Sequence, residues 1–295
     1  MRIAISGASG FLGQALSRHL SAEHEVIALV RRPSTSTLER RWDPEAGFVE
    51  SLGFSDIDAV INLSGAGIAD KRWTEERRRE LLTSRVRATR TLADLIAQEE
   101  RPTIFLSGSA VGVYGSTGDA EIDESAPHGS GFLADVCRQW EDAALGAGEG
   151  VRTVHLRTGL PLDRAGGFLG RQMPLFALGL GGQIGDGQHW LPWISLPDYV
   201  AAVAHLLTNE VSGPVNLSAP NPVRNAEFTE ELGGVLHRPV KLPVPLAALR
   251  VMFGDQLVEE AILASNRMMP KALLDSGFTF AHPELHEGLV AALGR

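Results

Sequence analysis

The sequence predicts an α/β fold built on a doubly wound parallel sheet, because short apolar runs alternate with longer segments of helical period. Strands separated by helices join through right-handed crossovers, which leave helices on both faces of the sheet. The segments with helical period lie near Leu12–Ala22, Thr74–Gln98 and Phe132–Ala147. The runs typical of strands are Arg2–Ser6, Glu25–Val30, Ala59–Leu63, Thr103–Ser107 and Val151–Leu156.

The second half of the chain differs in composition, with more glycine and proline and shorter predicted elements. Gly166–Gly187 is rich in glycine and indicates a loop around a short apolar helix. A helix is expected at Asp198–Leu207 and a short strand at Pro214–Ser218, and from Pro220 onward repeated prolines divide the chain into short pieces. We therefore predict a sheet-based domain and a smaller, partly discontinuous C-terminal lobe that binds substrate, with the boundaries 1–160 and 190–218 for the first and 161–189 and 219–295 for the second.

Composition excludes some classes of function. The net charge of −9 argues against a nucleic-acid-binding surface, which needs a basic face, so an anionic ligand would require a local group of arginines. The chain has a single cysteine, Cys137, and therefore cannot form an internal disulfide, which is consistent with a reducing cytosol. The chain begins on a strand without a secretory leader, and no apolar run approaches the roughly 18 residues of a membrane span. We expect a cytoplasmic protein.

The first strand ends in a glycine-rich turn, Gly7-Ala8-Ser9-Gly10-Phe11-Leu12-Gly13, which opens a helix. Glycine lets the backbone approach a pyrophosphate and lets the helix pack close to the strand. The unpaired N–H groups of the helix then face the phosphate charge. By itself the pattern also fits an ordinary turn, but its place between a strand and an amphipathic helix predicts a dinucleotide site.

The end of the second strand indicates which dinucleotide binds. An acidic residue there would accept a hydrogen bond from the ribose 2′-OH of NAD, but this strand ends in Arg31-Arg32-Pro33. A guanidinium pairs well with a 2′-phosphate, so we predict NADP(H) with Arg31 as the principal contact and Arg32 beside it. The alternative is two solvated surface arginines. A third fragment, Asn62-Leu63-Ser64-Gly65-Ala66, places small residues at a strand exit, where the backbone would run beneath the adenosine.

Together these fragments resemble the extended short-chain dehydrogenase/reductase superfamily, and more closely its branch of NAD-dependent epimerase/dehydratase-like "epimerase family" proteins. The likeness covers nearly the whole chain and implies a Rossmann domain. It rests, besides the fragments above, on Ser84-Arg85, Ser109-Ala110-Val111-Gly112-Val113-Tyr114-Gly115, Trp140-Glu141, Leu156-Arg157-Thr158-Gly159, Pro192-Trp193-Ile194 and Gly277-Phe278.

The resemblance also implies which residues hold the cofactor. Leu63 and Ser64 would line the adenosine side, and Leu160 would lie near the nicotinamide. Glu80 and Arg85 would face the dinucleotide from one helix, although a solvated helix face is the alternative. The residues expected at the phosphates and ribose are Gly7, Ser9, Gly10, Phe11, Leu12 and Arg31.

The proton-transfer pair of this superfamily is absent. A typical member uses a Ser/Thr together with Tyr-x-x-x-Lys on the next helix. Neither Tyr114 nor Tyr199 has a lysine four residues on, and anchoring the helix on Glu141 puts Leu133 and Cys137 at the tyrosine and lysine positions. Leucine cannot exchange a proton, and a cysteine on an apolar helix is more often inert packing.

Candidates for the proton transfer remain in this region. Ser109 matches the family serine and would orient a carbonyl, or it caps a turn; Tyr114 lies in a loop expected near the nicotinamide, or it is a core aromatic. Arg157 either binds a substrate anion or forms a buried ion pair. Further acid/base candidates are Asp119, Asp135, Glu141 and His189. His282 and His286 have a spacing known from zinc sites, but no third ligand is evident and we expect no metal.

Three functions are consistent with these observations. The first is an NADP(H)-dependent oxidoreductase or epimerase acting on a small carbonyl or hydroxyl compound, with proton transfer by Ser109, Tyr114 or water. The second is a non-catalytic NADP(H) sensor or scaffold, which the loss of the Tyr/Lys pair favours. The third is a structural interaction protein with a vestigial site. The resemblance also allows a homodimer, in which helix Phe132–Ala147 would pair with a copy of itself, as in many relatives.

Overall fold

The computed structural model describes residues 1–50, 53–240 and 242–294. Residues 241 and 295 of the predicted lobe therefore lie outside the described part of the chain. The first half forms β1 (Arg2–Ser6), α1 (Phe11–Leu20), β2 (Glu25–Val30), β3 (Glu39–Asp43), β4 (Phe48–Val49), β5 (Ala59–Asn62), α2 (Glu75–Ile96), β6 (Ile104–Ala110), β7 (Glu121–Ile122), α3 (Phe132–Ala144) and β8 (Arg152–Thr158).

The second half contributes shorter elements. They are β9 (Leu160–Asp163), α4 (Gly167–Ala177), β10 (Trp190–Leu191), β11 (Trp193–Ser195), α5 (Leu196–Thr208), β12 (Gly213–Leu217), β13 (Val223–Arg224), α6 (Asn225–Leu236), α7 (Leu246–Phe253), α8 (Asp255–Leu257), β14 (Arg267–Met268), α9 (Lys271–Asp275) and α10 (Leu285–Leu293).

The central sheet has eight strands in the order β12-β8-β6-β5-β1-β2-β3-β4. Every pairing in it is parallel except that of β3 with β4, which confirms the predicted doubly wound fold. The strand order reverses at β1, because β2 pairs on one side of it and β5 on the other. In such sheets ligands bind beyond the carboxyl ends of the strands at this reversal.

Alternation along the strands supplies a core on each face of the sheet. On one face Ile3 and Ile5 pack against α1 and α5, where Leu16 and Val203 are fully buried. On the other face strand residues that include Ala4, Val60 and Phe105 pack under the apolar side of α2. In the described part of the chain, helices thus cover both faces of the sheet.

A third apolar cluster lies in the second half of the chain, where α4, α6 and α10 pack together around Phe176, Phe228 and Leu289. It corresponds in part to the predicted lobe, whereas Leu273 of α9, also in the predicted lobe, packs into the core of the sheet. Two strands of the sheet were not predicted, β3 and β4. The sequence of β3 is ERRWD, which carries too much charge to be recognised as a strand.

No helix in residues 1–50, 53–240 or 242–294 is long and apolar enough to cross a membrane.

The packing of α1 against the sheet yields a first prediction. Replacing the fully buried Leu16 with alanine leaves a cavity between α1 and α5, so the free energy of unfolding should fall by about 2–5 kcal/mol. The control, His19→Ala, changes an exposed position of the same helix and should alter it by less than about 0.5 kcal/mol. Urea denaturation at neutral pH measures both; equal effects would contradict the assigned burial.

Candidate functional site

A cleft of about 1420 Å³ opens where the strand order reverses. Its walls are the β1–α1 turn, the ends of β2 and β5, and the side of α2 that faces them. Of the residues predicted to bind cofactor, the cleft is lined by Gly7, Ser9, Gly10, Arg31, Arg32, Leu63, Ser64 and Glu80. The structure thus brings together eight residues from four separate segments of the chain.

The floor of the cleft is a turn in which side chains would not fit. Gly7 has φ +75, and a Cβ there would lie 2.7 Å from the carbonyl oxygen of Leu63, just after the neighbouring strand β5. A Cβ on Gly13 would overlap the Gly7 carbonyl oxygen, so α1 could not pack as close to β1. Gly10 is the N-cap of α1 and provides no side-chain hydrogen bond, so the first N–H groups of the helix are left to face a ligand. This is a cradle for an anion at a helix N-terminus.

The two arginines after β2 have different surroundings. Arg31 is exposed, lines the cleft, and forms no ion pair with any residue that the structure describes. Arg32 also lines the cleft, but both terminal nitrogens of its guanidinium donate to the carboxylate of Glu39 on β3. Because Glu39 already occupies the hydrogen-bonding fork of Arg32, a contact between Arg32 and the cofactor stays a prediction that would require this pair to break.

The carboxylate of Glu39 is held by several donors at once. Besides Arg32, the backbone N–H and the hydroxyl of Thr35 donate to its Oε2, at 2.8 Å and 2.9 Å. The hydrogen bonds from Arg32, and then those from Thr35, lower the pKa of Glu39 to about 2. Glu39 is therefore ionised at any physiological pH.

The exit of β5 is fixed by a buried amide. Asn62 accepts from the Ser6 hydroxyl (2.6 Å) and donates to the Thr89 hydroxyl (2.7 Å), which ties β1, β5 and α2 together. The same oxygen of Asn62 accepts from the backbone N–H of Ser64 at 3.1 Å. This side chain sets the course of the loop in which Leu63 and Ser64 line the cleft.

Helix α2 contributes two buried guanidinium groups beneath that loop. Arg77 donates to the Gly67 carbonyl and to Glu80, both at 2.6 Å, so Glu80 is paired where it lines the cleft. Arg85 donates to the carbonyls of Leu81 (3.0 Å) and Ala66 (2.9 Å). Arg85 thus lies under the loop rather than among the residues that line the cleft, and burial lowers its pKa.

Phe11, Leu12 and Leu160 also lie outside the residues that line the cleft. The Phe11 ring lies against the backbone of Gly166, where an added Cβ would be 2.6 Å from the ring. Leu12 packs against the core of the sheet, and the N–H of Leu160 donates to the Pro192 carbonyl at 2.8 Å. Their contacts with a cofactor remain predictions.

Ser109 and Tyr114 belong to a buried polar network, not to the cleft. The Ser109 hydroxyl donates to Glu141 Oε1 at 2.6 Å, and Arg157 donates to both oxygens of the same carboxylate at 2.9 Å. The Tyr114 hydroxyl accepts from Arg157 at 2.8 Å and donates to Asn216 at 2.7 Å. Both hydroxyl protons are donated within the protein, so the proton-transfer roles of Ser109 and Tyr114 stay predictions that would require these hydrogen bonds to open.

The ionisation of this network follows from its contacts. Burial by itself would raise the pKa of Glu141, but hydrogen bonds from Arg157 and Ser109 outweigh it and hold this pKa below its usual value. Burial raises the pKa of Tyr114 despite the neighbouring Arg157. Of the two readings of Arg157, the structure supports the buried ion pair, and it adds Glu141 as its partner.

A sequence model described as the NAD dependent epimerase/dehydratase family matches residues 3–218, and one described as a domain of unknown function (DUF1731) matches residues 244–292. The chain belongs to the epimerase/dehydratase family. "Epimerase family protein Mb2239" of Mycobacterium bovis is 41% identical over 296 residues, which cover 99% of this chain and 98% of that protein.

Solved structures of this family agree with the fold. The crystal structure of human epimerase family protein SDR39U1 (isoform 2) with NADPH has a TM-score of 0.91 at 34% identity, covering 98% of each chain. The nucleoside-diphosphate sugar epimerase from Corynebacterium glutamicum has a TM-score of 0.80 at 35% identity, covering 100% of this chain and 58% of that one.

The positions expected for the Tyr/Lys pair when the resemblance is anchored on Glu141 hold no group that exchanges protons at neutral pH. Leu133 and Cys137 both face Gly112, where an added Cβ would lie 3.3 Å from Leu133 Cβ and 3.7 Å from Cys137 Sγ. Complete burial raises the pKa of the Cys137 thiol to about 12. The expectation that Cys137 is inert packing agrees with this environment.

The remaining candidates are dispersed. Asp119 accepts from the Trp190 indole N–H and from Arg224, both at 2.9 Å, and Asp135 pairs with Arg138 on the exposed side of α3. His189 is buried, which lowers its pKa.

His282 Nδ1 lies 3.0 Å from the Ser195 hydroxyl, whereas His286 contacts Glu231. Within the described ranges, no three histidine, cysteine or acidic side chains are grouped as metal ligands.

Sequence reasoning did not find the roles of Glu39, Arg77 and Asn62. Glu39 lies on an unpredicted strand, and nothing in its sequence context points to Arg32. The motif of Asn62 was recognised, but not the hydrogen bonds of its side chain. Arg77 could have been found by its spacing, because it lies two helical turns before Arg85 on the same side of α2.

The Glu141–Arg157 pair yields a second prediction. Glu141→Gln leaves the buried guanidinium without a counter-charge, so the free energy of unfolding at pH 7 should fall by about 3 kcal/mol or more. Asp142→Asn, at an exposed neighbouring position, is the control and should cost less than about 0.5 kcal/mol.

The same variant should show a defined pH dependence. Because the pKa of Glu141 is lowered in the folded protein, its contribution is complete above the usual value of 4.5 and is lost as pH falls through the folded value. The stability difference between wild type and Glu141→Gln should therefore be constant near neutrality and shrink below about pH 4.5. Chemical denaturation at several pH values measures it, and a difference that grows on acidification would contradict the assigned ion pair.

Proposed function

We propose that the chain binds NADP(H) in this cleft. The observation that carries the proposal is the side-chain-free cradle at Gly7 next to the guanidinium of Arg31, which has no ion pair among the described residues. A pyrophosphate fits the N–H groups that open α1, and a 2′-phosphate fits a cation at the tip of β2. The human relative whose structure was solved with NADPH supports the same assignment.

The residues of the cleft divide into three contributions. The turn from Gly7 to Gly10 would hold the pyrophosphate, Arg31 the 2′-phosphate, and Leu63 with Ser64 the adenosine side. Glu80, held by Arg77, offers a carboxylate to ribose hydroxyl groups. Bound NADP(H) would supply hydride transfer at its nicotinamide ring, chemistry that belongs to the cofactor.

We propose further that the protein is an oxidoreductase or epimerase-like enzyme acting on a small carbonyl or hydroxyl compound, bound by the lobe around Phe176 and Phe228. Membership of the epimerase/dehydratase family supports this reaction class. Because Ser109 and Tyr114 are engaged in the buried network, the proton would come from water or from the substrate's own groups.

A second candidate is a non-catalytic NADP(H) sensor. It is favoured by the pair of apolar or un-ionised side chains, Leu133 and Cys137, at the positions expected to transfer the proton. A fold that keeps its cofactor cleft but has no acid or base beside it can still report the redox state of the cofactor to a partner.

The assignment of Arg31 yields a third prediction. Arg31→Ala removes a charged hydrogen bond to the 2′-phosphate, so binding of NADPH should weaken by about 1.5–3 kcal/mol while binding of NADH stays nearly unchanged. Isothermal titration calorimetry with both nucleotides measures the difference. Arg18→Ala, at another exposed cation of the cleft, is the matched control and should leave the selectivity unaltered. Equal losses for both nucleotides would refute the assignment.

A fourth prediction separates enzyme from sensor. If the protein is an enzyme, NADPH absorbance at saturating cofactor should fall with at least one member of a panel of small aldehydes, ketones and keto-sugars. The Gly7→Val variant, in which the cradle is blocked, should show neither binding nor turnover. Tight NADPH binding by wild type without consumption of NADPH over the whole panel would favour the sensor instead.

A further inference from the structure

One basic side chain of the cleft, Arg32, is paired within the protein and is not free to bind a ligand. Arg32 stands next to Arg31 at the tip of β2, yet its guanidinium is paired in a fork with the Glu39 carboxylate. Arg32 also donates to the backbone carbonyl of Pro33 at 2.9 Å. Both members of the pair line the cleft where a 2′-phosphate would arrive.

The pair is better anchored than an ordinary surface ion pair. Exposed pairs contribute little when two long side chains must be ordered to form them. Here the Glu39 carboxylate is ordered independently of Arg32, because the Thr35 N–H and hydroxyl both donate to it. Its side chain is only 17% exposed, whereas Arg32 is 54% exposed. A phosphate that recruited Arg32 would have to replace a two-bond fork and leave Glu39 nearby as a repelling anion.

We propose that Glu39 sets the cofactor selectivity of the cleft by withholding Arg32 from the ribose 2′-phosphate, so that Arg31 alone recognises this group. The proposal rests on the proposed binding of NADP(H). Glu39 acts on the phosphate in two ways that have the same sign: it occupies the guanidinium of Arg32, and it places a negative charge at the edge of the phosphate site. The wild-type preference for NADPH over NADH is therefore smaller than two free arginines would give.

The experiment measures dissociation constants of NADPH and NADH by calorimetry for wild type and three variants. Glu39→Gln releases Arg32 and should lower the dissociation constant of NADPH about tenfold or more. The dissociation constant of NADH should change by less than about twofold. Arg32→Ala alone leaves the Glu39 carboxylate without its counter-charge and should weaken the binding of NADPH by at most about fivefold, a loss that adding Glu39→Gln should reverse. In the double variant Glu39→Gln, Arg32→Ala most of the gain should disappear, which traces the gain to Arg32 rather than to the removed charge.

The control variant Glu23→Gln removes one negative charge at an exposed position outside the cleft. It should change the binding of neither nucleotide. Thermal melting of each variant shows whether it is folded, and 2′,5′-ADP against 5′-AMP repeats the comparison without the nicotinamide. An unchanged NADPH/NADH ratio in Glu39→Gln, NADPH binding in the double variant that stays well below that of wild type, or weaker NADH binding in Glu39→Gln would each overturn the proposal. Failure of folded wild type to bind NADPH would instead refute the proposed function.

Discussion

The close approach of the β1–α1 turn to the exit of β5 is the constraint on which the site depends. Gly7 lies so near the Leu63 carbonyl that no side chain fits between them, and Gly13 allows α1 to pack against the same turn. This contact joins β1, where the strand order reverses, to its neighbour β5 and brings the start of α1 to the cleft. Larger residues here would push the helix from the sheet and remove the anion cradle.

Several arginines that line the cleft are neutralised by carboxylates that also line it. Arg32 pairs with Glu39, Arg77 with Glu80 and Arg87 with Glu45, so three of the guanidinium groups that line the cleft carry their own carboxylates. In a protein with a net charge of −9, the unpaired cations therefore determine where an anion binds. Arg31 is such a cation, and it lies at the strand end that faces the adenosine ribose in this fold.

The region where the family's proton-transfer pair is expected serves packing and ion pairing instead. Leu133 and Cys137 fill the space beside Gly112, and the Glu141–Arg157 pair joins α3 to β8. A buried pair of this kind is costly to break and constrains the elements that carry it, whereas it offers no exchangeable proton to a substrate. The cofactor cleft and the proton-transfer apparatus are thus separable parts of the fold: this chain retains the first without the usual form of the second.

The doubly wound sheet, the glycine turn and the arginines after β2 could be predicted from the sequence, because they depend on local periodicity and on backbone freedom at single residues. The sequence also showed that the Tyr/Lys pair is absent, since that pair is defined by spacing. Only the tertiary structure decided which polar groups are free. Arg32 meets Glu39 through the pairing of β2 with β3, and Ser109 meets Glu141 across 32 residues of chain. Hydrogen-bond partners brought together by strand pairing and helix packing leave no periodic signal in the sequence, so the state of Arg31 and Arg32 could not be distinguished before the fold was known.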